Sequence, residues 1–180
     1  MNKKALIVLV VVVVGGFLLF RSRGSSSVLS NQNEQIEVSK PSATKEINRV
    51  FEFPLKNGKG EEVSKLKFEI EKADIRSEIV VQGKKHVAVK GREYLILNLK
   101  VTNEYEKAVE INTRDYVRLS VNGNQDEWLA PDIHNDPVEV QALSTKLTRV
   151  GFPVDTTDKD FVLRVGEIKG EKEDIKLDIR

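Results

Sequence analysis

The stretch EYLILNLKVTN, residues 93–103, decides the fold that we expect from this sequence. Apolar side chains occupy every second position from Leu95 to Val101, and polar side chains occupy most positions between them. This period of two is typical of a β-strand that buries one face. Ile96 interrupts the polar side, which indicates a central strand that is also partly covered on its second face. We therefore predict a long strand in the middle of a sheet.

The same alternation recurs in shorter segments along the chain. These segments are LKFEI, HVAVK, AVEI, YVRLSV, TKLTRVGF, FVLRVGEI and DIKLDI. Turn signals separate them, at Asn57-Gly58, Lys90-Gly91, Asn122-Gly123 and Lys169-Gly170. Asn-Gly between alternating segments favours a hairpin, because both turn residues need a positive φ. Many short strands at this spacing predict an all-β fold, either an antiparallel β-sandwich or a barrel.

The N-terminal segment has a different composition. Residues 5–20 contain no charged side chain, and two lysines precede them while two arginines follow. As a helix this run would be ~24 Å long at ~1.5 Å per residue. Long basic side chains at its ends reach the headgroups of a ~30 Å hydrocarbon core. We predict that residues 1–23 form a signal anchor with a single transmembrane helix, and that residues 5–20 contact the lipid bilayer.

A cleaved signal peptide is the alternative for this segment. Small residues suitable for cleavage lie at 24–27, but Arg21 and Arg23 stand between them and the apolar run. A signal peptide has its positive charge before the apolar stretch, so we favour an uncleaved anchor. Positive charge is nearly balanced across the run, and long following domains translocate largely regardless of charge. We therefore expect a single-pass protein of the cell membrane with an extracytoplasmic C-terminal domain.

Composition also divides the rest of the chain. Residues 24–48 are rich in Ser, Asn, Gln and Glu, which predicts a flexible linker. Residues 49–180 remain as one domain that is long enough for a hydrophobic core. The chain carries 29 Lys and Arg against 28 Asp and Glu, and four of the basic residues lie in residues 1–23. The rest of the chain therefore holds slightly more acidic than basic residues, and we expect no nucleic-acid partner.

Three successive stretches make the chain similar to a known family. They are GREYLILNLKVTNEYEKAVEI (91–111), DYVRLSVNGNQDEW (115–128) and STKLTRVGFPVDTTDKDFVLRV (144–165). Over roughly residues 65–180 the chain resembles a family of uncharacterised bacterial and archaeal extracytoplasmic domains that follow an N-terminal membrane anchor. The resemblance implies a telokin-like, immunoglobulin-like antiparallel β-sandwich, and it supplies no catalytic residues. Pro153 precedes Val154 here, which reverses the commoner order in the family's late strand.

The residues that catalysis most often uses are scarce. Cysteine is absent, and His86 and His134 are the only histidines. A nucleophile needs a base within hydrogen-bond reach, and we interpret His86 as a surface imidazole on a strand. NGNQDEW places oxygens at the spacing of a calcium loop, but Glu127 and Ile133 stand where that loop needs Gly and Glu. We therefore expect no enzyme activity, no cofactor and no metal site.

The long connection at residues 125–144 is the candidate recognition loop. Connections beyond ~12–15 residues in a compact domain are often functional. Its candidate residues are Trp128, Asp132, His134 and Asp136. For the two aspartates and the histidine we favour turn chemistry, in which side chains bond nearby backbone, over a base or metal ligand. We interpret Trp128 as core filler beneath the loop rather than as an exposed binding residue.

Two classes of function remain open on the sequence. We favour a membrane-tethered, extracytoplasmic binding or structural module without catalysis, whose partner is an unidentified envelope protein, polymer or ligand. The alternative is an extracytoplasmic enzyme or metal-dependent protein that uses the 125–144 loop. Convergence of Asp132, His134 and Asp136 around one cleft would favour the alternative, because catalytic and metal-binding groups must lie close together.

Overall fold

Across residues 36–180, the part of the chain that the computed structural model describes, the fold consists of β-strands and one short 3₁₀ helix. The strands are β1 Ala43–Lys56, β2 Glu62–Arg76, β3 Glu78–Val81, β4 Lys84–Val87, β5 Arg92–Asn103, β6 Val109–Ile111, β7 Val117–Ser120, β8 Ile133–His134, β9 Val138–Val140, β10 Ser144–Asp155, β11 Phe161–Val165 and β12 Glu173–Leu177. The 3₁₀ helix is Thr113–Tyr116. The predicted anchor, residues 1–23, and the predicted linker as far as residue 35 lie outside the described residues. No helix within residues 36–180 is long and apolar enough to cross a membrane.

Two antiparallel sheets enclose the core. The larger sheet has the strand order β1-β2-β5-β10-β8, and the smaller one has the order β12-β11-β7. Two further pairs, β3–β4 and β6–β9, lie beside them. The core takes its largest fully buried side chains from both sheets, with Phe68 and Phe152 in the larger sheet and Phe161 in the smaller. The prediction of an all-β fold is confirmed for the described residues.

The position of β5 follows from its sequence. It pairs with β2 on one side and with β10 on the other, so it is the third of five strands. Its alternate residues from Leu95 to Val101 are fully buried against the core. Ile96 is buried on the opposite face, where β3 contacts β5. Gly151 of β10 lies directly opposite Ile96 and leaves room for it, since an added Cβ would lie 2.5 Å from Ile96 Cδ1.

The first strand corrects the predicted domain boundary at residue 49. β1 begins at Ala43, and its first residues pair with β2 from Ile75 backwards. Ile47 packs against the core, and the chain resumes its pairing after a register shift next to Asn48, which has a positive φ of 51°. An edge strand with one face in water needs few apolar residues, so its composition resembles that of a linker. The last part of predicted linker 24–48 is therefore part of the sheet.

The connection at residues 125–144 also differs from the expectation of one long loop. A bridge between Leu119 and Leu129 joins it to β7, and β8 pairs with Val150 and Gly151 of β10. β9 then pairs with β6. The segment is thus held to the rest of the domain at three places, which limits its freedom to move as a loop.

Candidate functional site

Asp136 is the most engaged of the predicted recognition residues. Its side chain is only 1% exposed. Its Oδ1 accepts hydrogen bonds from the backbone N (2.7 Å) and the hydroxyl (2.6 Å) of Thr113, and Oδ2 accepts one from the backbone N of Arg114 (2.9 Å). Asn112, which precedes the 3₁₀ helix, makes no side-chain cap. Asp136 therefore caps this helix from a distant part of the chain.

His134 lies beside Asp136, and Asp132 does not join them. The backbone N–H of Asp136 donates to Nδ1 of His134 (3.2 Å), and Nη1 of Arg114 lies 3.3 Å from Nε2. Asp132 is exposed, and its backbone N–H donates to the carbonyl of Gly151. Within residues 36–180 no group of three or more His, Cys, Asp or Glu side chains has the geometry of a metal site. The loop brings two of the three candidates together, and one of those two acts as a cap.

Trp128 is not core filler, which corrects the sequence interpretation. Leu129 faces inward opposite the buried Leu119, so the neighbouring Trp128 lies on the outer face of the smaller sheet. The guanidinium of Arg164 covers its ring at 3.7 Å from the centroid. Two hydrogen bonds of 2.7 Å join that guanidinium to Asp174. The sequence alone does not place Trp128, because a bulky apolar residue in a loop does not reveal which face of a sheet it covers.

The remaining polar candidates serve local turns. Asn122 and Gly123 both have positive φ values, 58° and 67°, as an Asn-Gly turn requires. The side-chain oxygen of Asn122 accepts from the backbone N of Lys159, and that of Asn124 accepts from the backbone N of Asp126. His86 lies exposed on β4, where the sequence predicts a surface imidazole.

An open groove runs along β10, and we call it the β10 groove. Its volume is about 610 Å³, and its lining residues are Asn135, Pro137, Val138, Glu139, Gln141, Ser144, Thr145, Lys146, Leu147 and Thr148. β8 pairs with β10 only at Val150 and Gly151, and the chain then turns away to form β9. Among the described residues, no strand pairs with β10 on this side between Ser144 and Arg149. The second half of the predicted recognition loop thus forms one wall of a groove, and a free strand edge forms the other.

The β10 groove has an apolar surface next to its free backbone. Leu147 in the groove is 67% exposed, and the exposed Pro137 lies across from it. Leu143, which is 71% exposed, immediately precedes the groove residue Ser144. The other free edge of the larger sheet, along β1, differs from it. That edge has a register shift at Asn48, a proline at 54 and charged residues including Arg49 and Glu52. Register shifts, prolines and charges all oppose the addition of a further strand. The free part of β10 has no register shift and no proline, and its charged residues are Lys146 and Arg149.

A second groove lies where β1, the 3₁₀ helix and the β11–β12 connection meet. Its volume is about 600 Å³, and its lining includes Tyr116, Asp115 and Glu167. Burial raises the pKa of the Tyr116 hydroxyl, and the carboxylates of Glu167 and Asp115 raise it further. The Tyr116 ring packs on Phe53 at 4.6 Å between centroids, so this residue also belongs to the edge of the core.

The sequence does not predict the free edge of β10. Leu147 lies in the predicted segment TKLTRVGF, where it reads as one more apolar strand residue. Leu147 is an odd number of positions away from the buried Val150, Phe152 and Val154, so its side chain points to the opposite face of the strand. This spacing is the signal that the sequence offers. The absence of a neighbouring strand has no sequence signal, since it depends on where the 135–141 segment goes.

Comparison with known proteins supports the fold class. No protein-family profile matches the chain, and no curated protein matches it. A conserved hypothetical protein from Bacillus anthracis has a similar structure, with a TM-score of 0.50 and 11% identity over 74% of this chain and 96% of that chain. An uncharacterised β-sandwich protein from Clostridium difficile 630 also has a TM-score of 0.50, with 15% identity over 62% of this chain and 85% of that chain. At these identities the likeness shows the fold alone, which is that of a β-sandwich protein.

Proposed function

We propose that this chain is a membrane-tethered, extracytoplasmic binding module without catalytic function, built on an immunoglobulin-like β-sandwich. The β10 groove carries the proposal, and its occupant is an extended segment of another envelope protein. A free strand edge offers backbone N–H and C=O groups to an added strand, and those hydrogen bonds provide affinity. The apolar side chains at the groove, above all Leu147, provide contact with alternate side chains of that strand.

The hydrogen bonds of the recognition-loop residues Asp136 and His134 favour a binding function over catalysis. The carboxylate of Asp136 is occupied by three hydrogen bonds from the 3₁₀ helix, and His134 faces the backbone N–H that follows it. A general base must reach a substrate proton directly or through one water. Asp136 is turned away from solvent and holds the 3₁₀ helix in place, which is a structural task.

The tether follows from the apolar run at residues 5–20 and its arginine flank. Membranes prepared without detergent should retain the full-length chain after an alkaline carbonate wash. Protease added outside spheroplasts should digest the described domain. A soluble form that begins near Val28 would instead indicate a cleaved signal peptide, and resistance to protease until lysis would place the domain in the cytoplasm.

Site-specific photo-crosslinking in cells tests the groove. A benzoylphenylalanine at Thr145, an exposed groove residue, should cross-link the full-length chain to a defined envelope protein. Leu147→Lys in the same chain should abolish that product, because a charge at the free edge opposes strand addition. Val50→Lys is the matched control, since Val50 is a similarly exposed apolar residue on the protected edge of β1. A wild-type chain that gives no product, or equal products from all three chains, would contradict the proposal.

A further inference from the structure

The segment QGKKHVAVKGR, residues 82–92, contains no acidic residue. We call its exposed part the basic hairpin face, which consists of Lys84, Lys85, His86, Val87, Val89 and Lys90. Val87 is 61% exposed and Val89 is 71% exposed. Exposed apolar residues among lysines are typical of a surface that meets lipid headgroups, where apolar groups enter the interface and lysines meet anionic lipid.

The fold holds this face outward. Gln82 and Gly83, with φ values of 49° and 71°, make a tight turn between β3 and β4. Ile79 of β3 is buried, and the guanidinium of Arg149 donates to the carbonyl of Val80. β3 is thus fixed on the outer face of the larger sheet, whereas every residue of β4 is exposed.

The positive charge of the face is only partly neutralised. Lys85 pairs with Glu78 at 2.9 Å, and this is the one carboxylate paired with the face in the described part of the chain. Lys84 and Lys90 form no salt bridge within residues 36–180. Two free lysines beside two exposed valines remain for a partner with negative charge and an apolar layer beneath it.

The chain enters the domain beside this face. The backbone N–H of Ser39 donates to Glu78 (2.9 Å), and the ammonium of Lys85 donates to the carbonyl of Glu37 (3.2 Å). Residues 37–39 are therefore attached to the hairpin. If the predicted anchor ends at Arg23, 12 residues separate it from Ile36, and a flexible chain of that length spans ~20 Å. A short tether of this kind keeps the face at high effective concentration near the bilayer.

We propose that the basic hairpin face docks on the bilayer surface through anionic phospholipid headgroups, an inference that rests on the proposed tether. The docking orients the domain. β5 begins next to the hairpin and ends next to Ser144, the start of the β10 groove. Its 12 residues at ~3.3 Å each extend ~40 Å. Val80 of the hairpin accepts a hydrogen bond from Arg149, where the free edge of β10 ends, so the Ser144 end of the groove is the part that lies farther from a docked hairpin.

The absence of cysteine permits a direct test in the full-length chain. A single Val89→Cys, labelled with an environment-sensitive fluorophore, would be reconstituted into vesicles that contain brominated lipid as a quencher. Glu106→Cys, exposed in the connection after β5, is the matched control at the other end of the domain. In vesicles of phosphatidylcholine with about one-third phosphatidylglycerol, quenching at position 89 should exceed that at 106 at least about twofold, as expected for contact within the headgroup layer.

The quenching should depend on the charge of the lipid, on the salt concentration and on the lysines of the hairpin. In vesicles of phosphatidylcholine alone, the difference between positions 89 and 106 should disappear. Salt at ~1 M should also reduce it, because the screening length falls to ~3 Å from ~10 Å at 0.1 M. Lys84→Glu with Lys90→Glu should remove the quenching, whereas Lys59→Glu with Lys107→Glu, which changes the net charge equally, should leave it intact.

Flotation of the same vesicles separates the two proposals. If the chain floats with vesicles but position 89 is quenched no more than 106, or equally with and without anionic lipid, docking is overturned and the tether stands. If the chain does not float with either type of vesicle, the tether itself fails and docking fails with it.

Discussion

At the scale of single residues, Asp136 and Asp74 are buried carboxylates whose hydrogen bonds join distant parts of the chain. Asp136 caps the 3₁₀ helix that begins at Thr113. Asp74 lies on the outer face of the larger sheet and accepts hydrogen bonds from Thr44 (2.7 Å) and Asn98 (3.2 Å), one strand to either side. Buried acceptors that are fully paired specify a unique arrangement, because every alternative leaves them unpaired.

Asp136→Ala should lower the free energy of unfolding by ~1–3 kcal/mol, because it leaves the donors at the start of the 3₁₀ helix without their acceptor. Asp132→Ala is the control, and it should change the free energy by less than about 0.5 kcal/mol because Asp132 is exposed. Urea denaturation of both variants measures the difference. Equal stability of the two variants would show that the cap has no structural role.

Asp74 should make stability depend on pH in the acid range. Burial alone would raise the pKa of its carboxyl, but hydrogen bonds from Thr44, Asn98 and Arg76 outweigh burial and hold the pKa below its usual value. A lowered pKa contributes stability that is fully present above the unfolded-state value of ~3.9 and is lost as the pH falls through the folded-state pKa. The stability difference between the wild type and Asp74→Asn should thus be constant from about pH 7 to 5 and shrink below about pH 4. Urea denaturation across this range checks it, and a difference independent of pH would refute it.

At the scale of elements, β5 and β10 share the same alternation of apolar and polar residues but differ in which strands lie beside them. β5 has neighbours on both edges from Tyr94 to Asn103, so its alternation corresponds directly to a buried face and a partly covered face. β10 has the same alternation from Val150 to Val154, but its first residues extend past its outer neighbour β8. That unpaired stretch is the free edge on which the proposed binding function depends.

Leu97→Ala should lower the free energy of unfolding by ~2–5 kcal/mol, since Leu97 is fully buried in the centre of β5. Lys100→Ala, on the other face of the same strand, should cost less than about 0.5–1 kcal/mol. Lys100 is half-exposed and makes one salt bridge, to Glu69, and such pairs are weak. Equilibrium denaturation compares the two, and equal losses would contradict the assignment of the faces.

At the scale of the whole molecule, the proposals assign separate tasks to the hairpin and to the β10 groove. Residues 37–39, which follow the predicted tether, contact the hairpin, and the groove extends from the region of Arg149 toward Ser144. A module of this kind depends on geometry and reach rather than on a reactive group. Its function should therefore be sensitive to the anchor and to the groove, and insensitive to its histidines.

This expectation can be tested by complementation of a deletion strain with a measurable defect. His86→Ala together with His134→Ala should restore the wild-type phenotype, whereas a chain without residues 1–23 should not. Stepwise shortening of residues 24–35 should weaken function by degrees, because effective concentration changes gradually with linker length. A double-histidine variant that folds, reaches the membrane and fails to complement would favour the enzymatic alternative.

The sequence by itself determined the all-β class, the central position of β5 and the covered second face at Ile96. These follow from period-two alternation and turn residues, which are local properties of the chain. The sequence also singled out the 125–144 segment, and its role in recognition stays a prediction. It did not determine the roles of the residues in that segment, because Asp136 acts on a helix that begins at Thr113 and Trp128 packs under Arg164.

Only the tertiary structure decided where the domain begins, which strand edge is free and what lies next to the basic hairpin face. The start of β1 depends on backbone pairing with β2, which composition does not encode for an edge strand. The free edge of β10 exists because residues 135–141 leave the sheet to pair with β6. Each of these features is a relation between segments far apart in the chain, whereas a pattern along the sequence reports only on neighbours.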